Sequence, residues 1–201
     1  MTQDDPRPAR TKLLDAALVL IRQKGFAATS VDDLCRAAGV TKGAFFHHFA
    51  TKDDLGAEAA RHWGRVTGAL FAAAEYHRVA DPFDRIMAYL DLREALLQGE
   101  VAEFTCLAGT LLQEVHASSP AITAAAWASI RDHAETLEPM FAAAIAAHAP
   151  ATPQSAESLA RLTQTFLQGA FILSKGEGTS TPAREALGHL RAYLTMIFMK
   201  E

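Results

Sequence analysis

From Leu13 onward apolar residues recur at three- and four-residue intervals, the spacing that lines one face of an α-helix. Leu13, Leu14, Ala17, Leu18 and Ile21 make the first such stripe over residues 11–24, and Gly25 ends it. Ser30 has the character of an N-cap, with Asp33 three residues on to complete a capping box. Val31, Leu34 and Ala38 then share a face, Gly39 suits a sharp turn, and Thr41 can cap a second short helix carrying Phe45 and Phe49 inward. Thr51 with Asp54 repeats the capping pattern and opens a long helix to about Tyr76.

The pattern continues in the same style. Pro82 opens a helix through Leu97, with Gly99 beyond it, and residues 101–116 make the next. Ser119 and Pro120 read as N-cap and first helical residue of a long helix toward His148, which Pro139 is expected to kink or interrupt. Two helices close the chain, residues 153–175 and 182–199, separated by residues 176–181. The last carries one stripe, Leu187, Leu190, Leu194, Ile197 and Phe198. The one before it is apolar on two sides, with Leu159, Leu162, Phe166 and Leu173 but also Leu167 and Phe171. Such a helix must bury both sides, either at the centre of a core or partly against a second subunit.

No run of alternating β-branched residues between turns calls for a strand. The expected fold class is all-α, about nine helices. A head over residues 1–55, with its motif at 30–49, precedes a helical bundle over 56–201. Pro6 and Pro8 keep the first twelve residues out of early helix. The expected core of the head is Leu14, Leu18, Ile21, Phe26, Val31, Leu34, Val40, Phe45 and Phe49.

Helix, glycine turn, helix is the plan of the DNA-reading helix-turn-helix. The second helix presents Lys42, Gly43, Ala44, His47 and His48, a short, faintly basic face with little bulk at its start. In the stretch LLDAALVLIRQKGFAATSVDDLCRAAGVTKGAFFHHFATKDDL, and most of all in VTKGAFFHHFATKDDL, the chain resembles the TetR family of bacterial transcriptional regulators. The resemblance covers about the first quarter of the chain. It implies a three-helix DNA-binding domain, a C-terminal ligand-binding and dimerisation domain, and a homodimer joined through the last two helices as a four-helix interface. The partners so implied are double-stranded operator DNA, palindromic to match the dimer, and a small-molecule inducer of unknown identity.

The chain of 201 residues carries a formal charge of −4, unusual for a nucleic-acid binder if read as a whole. Its distribution matters more. Residues 1–55 hold eight Lys and Arg against seven Asp and Glu, and the remainder eleven against sixteen. A local positive face, helped by helix N-termini, is what DNA contact needs. No apolar run is long enough to span a bilayer, and the polar, proline-bearing start is not that of a secretory signal. A cytoplasmic location is expected, with Cys35 and Cys106 as reduced thiols.

For DNA the candidates are Thr29, Ser30, Thr41, Lys42, Gly43, Ala44, Phe46, His47 and Lys52. Lys42 and Lys52 are expected on phosphates, Thr29 and Ser30 as hydroxyl or backbone donors, and Gly43 and Ala44 close to base edges. Phe46 departs from the family, which commonly has tyrosine there, and so lacks a phosphate-binding hydroxyl. His48 is open to a functional or a packing role.

Candidates for a ligand cavity are Trp63, Phe104, Cys106, Trp127, Phe141 and Phe171, each equally readable as core. Cys106 has two readings, a packed thiol beside that cavity or an oxidant- or electrophile-sensing group. The eight histidines are scattered, without metal-ligand spacing, and no catalytic motif or cofactor fingerprint is present, so neither metal, cofactor nor enzyme activity is expected. Two further classes stand beside the ligand-responsive repressor. One is an all-α small-molecule binding protein with a vestigial helix-turn-helix. The other is a regulator acting through protein contact.

Overall fold

The computed structural model of the protein describes residues 7–150 and 154–198. Among these residues there are ten α-helices, one 3-10 turn and no strand. The helices are α1 (Ala9–Lys24), α2 (Val31–Ala38), α3 (Lys42–His48), α4 (Lys52–Ala72), α5 (Pro82–Ala95), α6 (Val101–Phe104), α7 (Leu107–Val115), α8 (Pro120–His148), α9 (Ala156–Glu177) and α10 (Thr181–Phe198), with the 3-10 turn at Glu75–Arg78. The all-α expectation holds.

The differences are local. Helix α1 starts at Ala9, two residues early, because Pro8 can serve as its N-cap residue and needs no N–H there. The expected helix over 101–116 is two helices, since Thr105 adopts an extended conformation that ends α6 after one turn. That break raises the count from about nine to ten. Pro139 does not interrupt α8, which runs helical from Pro120 to His148. The start expected at Pro153 lies outside the described residues; α9 is capped instead by Ser155, whose side chain accepts from the Ser158 N–H.

By contact the chain forms two compact units. The first comprises residues 1–66 with 107–129, and the second residues 67–106 with 130–201. In the first unit α1, α2 and α3 pack about Leu13, Leu14, Leu18, Ile21, Phe26, Leu34, Phe45 and Phe49, all buried. Val31 and Val40, expected in this core, lie only half-buried at its edge. Each large apolar side chain taken fully from water contributes about 1.5–3 kcal/mol. Leu107, Leu111 and Ile122 are also buried in the segment that joins this unit from later in the chain.

The second unit has its own core. Phe71, Tyr76, Phe83, Ile86, Tyr89 and Leu90 pack with Leu137, Phe141, Leu159, Leu167, Phe171, Leu187, Leu190, Leu194, Ile197 and Phe198. The stripe expected on the last helix is the inner face of α10. Helix α9 buries Leu159, Leu167 and Phe171 in this core, while Leu173 is 61% exposed on its other side.

Candidate nucleic-acid interface

Local chemistry decides the shape of the α2–α3 pair. The Ser30 hydroxyl accepts from Asp33 N–H at 3.1 Å, and the Asp33 carboxylate accepts from Ser30 N–H at 3.1 Å, closing the expected box. The ammonium of Lys24 at 2.7 Å, with the Ser30 backbone and hydroxyl donors, holds the Asp33 carboxyl well below the usual carboxylate range. Helix α2 ends at Gly39, whose φ of 63° and ψ of 37° lie in the left-handed region that glycine enters without a Cβ clash. Two residues on, the Thr41 side chain accepts from Ala44 N–H at 3.1 Å and starts α3. Both ends of the turn are thereby tied down.

Helix α3 is divided between two environments. Phe45 and Phe49 point into the core of the unit, 0% and 3% exposed. Their rings lie 5.7 Å apart, and the Arg10 guanidinium sits 5.6 Å from the Phe49 ring. Thr41, Lys42, Gly43, Phe46, His47 and His48 face solvent, while Ala44 is half-buried. A Cβ built on Gly43 would meet only Thr41 Oγ1, at 3.7 Å. The leading edge of α3 is bare. His47 and His48 are stacked edge to face with ring centroids 4.9 Å apart.

The remaining DNA candidates separate. Lys42 is exposed, and its ammonium pairs with Asp32 on α2 at 2.8 Å, an interaction that raises the lysine pKa. Asp32 was not foreseen, though it stands at the second position of a helix beside a lysine three positions beyond the turn. Ser30 is exposed, but its hydroxyl both accepts from Asp33 N–H and donates to the Asp33 carboxylate. Thr29 is 1% exposed and its hydroxyl donates to Gly25 carbonyl at 2.6 Å. Lys52 is half-buried. Its ammonium donates to the carbonyls of Phe26 at 3.0 Å and Thr29 at 3.1 Å and lies 4.4 Å from the Phe26 ring centroid. In this structure Thr29 and Lys52 bond to main-chain carbonyls of the segment between α1 and α2.

The ligand candidates fall in both units. Phe141 and Phe171 lie in the second unit's core, with Phe104 and Cys106 packed against it and the Phe104 and Phe171 rings 6.4 Å apart. Trp63 and Trp127 belong to the first unit. Trp63 lies beneath the Arg22 guanidinium at 4.9 Å, and Trp127 is 49% exposed. A buried polar pair not foreseen in the sequence sits in the second unit. Tyr89 Oη and His133 Nε2 share a hydrogen bond of 2.9 Å, and the His133 ring lies 4.4 Å from that of Phe71. Burial, with the nearby Arg93 guanidinium, pushes the His133 pKa down to about 3, and burial raises that of Tyr89. Both are neutral near pH 7. Among the described residues no group of three or more His, Cys, Asp and Glu side chains could hold a metal.

Two short capped helices about a left-handed glycine, the second offering a bare outward face from a buried aromatic base, define a helix-turn-helix head of the DNA-binding kind. The family of bacterial regulatory proteins described as tetR matches residues 13–59. The HTH-type transcriptional regulator AcrR of Shigella flexneri is 42% identical over 57 residues, which are 28% of this chain and 26% of that protein. The transcriptional regulator AcuR of Cereibacter sphaeroides is 28% identical over 113 residues, 56% of this chain and 52% of that one. The matched stretches therefore span about a quarter to a half of these relatives.

Among solved structures, the fold agrees with regulatory protein TetR from Rhodobacter sphaeroides at a TM-score of 0.83 and 23% identity, over 93% of this chain and 99% of that one. A TetR transcriptional regulator from Chloroflexus aurantiacus gives 0.77 at 25% identity, over 94% and 95%. The head is similar to that of the tetR family of bacterial regulatory proteins, and the fold of the chain is that of solved TetR-type regulators.

Proposed function

We propose that the protein is a transcriptional regulator that binds a palindromic operator in double-stranded DNA as a homodimer and represses until a small apolar or aromatic molecule releases it. The observation that carries the reading is the division of α3, with Phe45 and Phe49 buried and Lys42, Gly43, Phe46 and His47 turned to solvent. In this reading α3 enters the major groove. Lys42 leaves Asp32 for a phosphate, Gly43 and Ala44 allow close approach to base edges, and Thr41, Ser30 and His47 border the contact. Two heads would meet half-sites about 34 Å apart or a multiple of it.

Dimerisation through α9 and α10 is supported by large apolar side chains left outside the core on these two helices. Ile172, Leu173 and Met196 are 48%, 61% and 70% exposed. For the inducer, the aromatic cluster of Phe104, Phe141 and Phe171 beside Cys106 is the favoured neighbourhood. Such a molecule acts by binding better to the released conformation than to the DNA-bound one. No described helix is long and apolar enough to cross a membrane, and the cytoplasm is the proposed site of action.

The test is fluorescence anisotropy with a duplex of the DNA immediately upstream of the gene, against a scrambled duplex, at two salt concentrations. Preference for the upstream duplex with a steep salt dependence is the expected result. Equal affinity for both duplexes, or none, would overturn the reading.

A further inference from the structure

The loop joining α1 to α2, residues 25–29, is held from two chemically opposite sides. Its carbonyls at Phe26 and Thr29 accept from the Lys52 ammonium. Its N–H at Ala27 donates to the Glu114 carboxylate on α7 at 2.9 Å. Gly25 has a φ of 89°, and a Cβ there would collide with that same carboxylate. The Glu114 carboxylate, the end of an exposed and flexible side chain, thus packs directly against Gly25. Phe26 is seated just as closely. A Cβ on Gly56 of α4 would come within 2.7 Å of Phe26 Cε2 and 2.8 Å of Ile122 Cδ1 on α8.

This loop runs directly into Ser30, the N-cap of α2, and α2 in turn carries the Asp32 partner of Lys42. Without Glu114 the Ala27 N–H would be left to water, and the loop would keep only its own bonds from Thr29 to the Gly25 and Phe26 carbonyls and those from Lys52. The added bond to Glu114 comes from a residue far along the chain. Glu114 lies well beyond residues 13–59, to which the family match is confined.

We propose that Glu114 is a positioning residue for DNA recognition, acting through the 25–29 loop, with Lys52 holding the carbonyl side of the same loop. The inference rests on the DNA-binding reading above. It assigns to α7, which starts immediately after Cys106, a direct hold on the reading head.

The test compares Glu114→Ala with Glu114→Gln. Both remove the same negative charge, so electrostatic attraction to DNA changes equally. Only glutamine keeps an oxygen able to accept from Ala27 N–H. The expected result is upstream-duplex binding about tenfold weaker for alanine than for glutamine, with faster hydrogen exchange at the Ala27 amide and little change in melting temperature. Equal affinities for the two variants, or unchanged exchange at Ala27 in the alanine variant, would overturn the proposal. For Lys52, replacement by methionine keeps the stem over Phe26 and should leave the slope of log affinity against log salt unchanged. A slope lower by about 0.9 would place Lys52 on a phosphate and overturn its part. Wild-type protein that binds no duplex defeats the DNA-binding reading itself; wild-type binding with indistinguishable Glu114 variants defeats this inference alone.

Discussion

The Lys42 ammonium stands 2.8 Å from Asp32 Oδ1, so the first residue of α3 is ion-paired to the second residue of α2. Both side chains are more than half exposed, and such a pair contributes little to stability. In the proposed docking its effect falls on DNA contact, because there Lys42 exchanges one oxyanion for another. Lys42→Ala is expected to weaken binding to specific and scrambled duplexes alike and to lower the salt slope by about 0.9. Asp32→Asn is expected to strengthen binding to both. Anisotropy titrations across salt check the two together, and a Lys42→Ala protein with wild-type affinity would exclude the docking described above.

Phe46 is 56% exposed, so its substitution should be felt at DNA and not in the core. Phe46→Tyr supplies a hydroxyl at the solvent edge of α3 and is expected to tighten operator binding several-fold at an unchanged melting temperature. Phe45→Ala tests the opposite side. Its ring is fully buried, and its loss should cost about 3–5 kcal/mol and abolish binding by unfolding the head. Thermal melts of the two variants separate the roles.

The capping box gives a smaller, cleaner number. Ser30→Ala removes the acceptor for Asp33 N–H and should destabilise the protein by about 1 kcal/mol in chemical denaturation.

His133 makes stability depend on pH. In the folded chain its pKa is about 3, against 6.5 for a free imidazole. Below pH 6.5 the unfolded chain takes up a proton that the folded chain refuses. The sign follows: His133 costs no stability above 6.5, and stability falls as pH drops from there toward 3, by up to about 1.4 kcal/mol per pH unit. Between pH 7 and pH 5, before Asp33 and its like titrate, wild-type protein is expected to lose melting temperature that His133→Gln retains. Equal slopes for the two proteins would show that the imidazole is not held neutral by burial.

If α9 and α10 meet a second copy, an acid in the exposed patch should separate the subunits. Leu173→Asp is expected to sediment as a monomer and to lose operator binding while keeping its helical circular dichroism.

What is legible in the residue string is local. Ser30 with Asp33, Gly39, Thr41 and the inward phenylalanines are decided within a few residues of one another, and the spacing of side chains along one helix exposes such logic. The bonds of Thr29 and Lys52 were not legible because their partners are main-chain carbonyls, which leave no mark on a residue string. Glu114 and His133 were invisible for a related reason: each acts across long sequence separation, on Ala27 and on Tyr89. Thr105 broke an expected helix in two through its backbone conformation, although no glycine or proline announces it. The division into two compact units follows packing that no single cut in the chain reproduces.

The caps at Ser30 and Thr41 have a thermodynamic corollary. A reading helix of seven residues is far too short to persist by itself in water, yet here it is assembled before any duplex arrives. Association then resembles the meeting of two rigid bodies, with no folding of the reader to accompany it. Titration calorimetry should accordingly yield a heat-capacity change proportional to the area dried at the groove, without the larger negative increment of a segment that orders on its target.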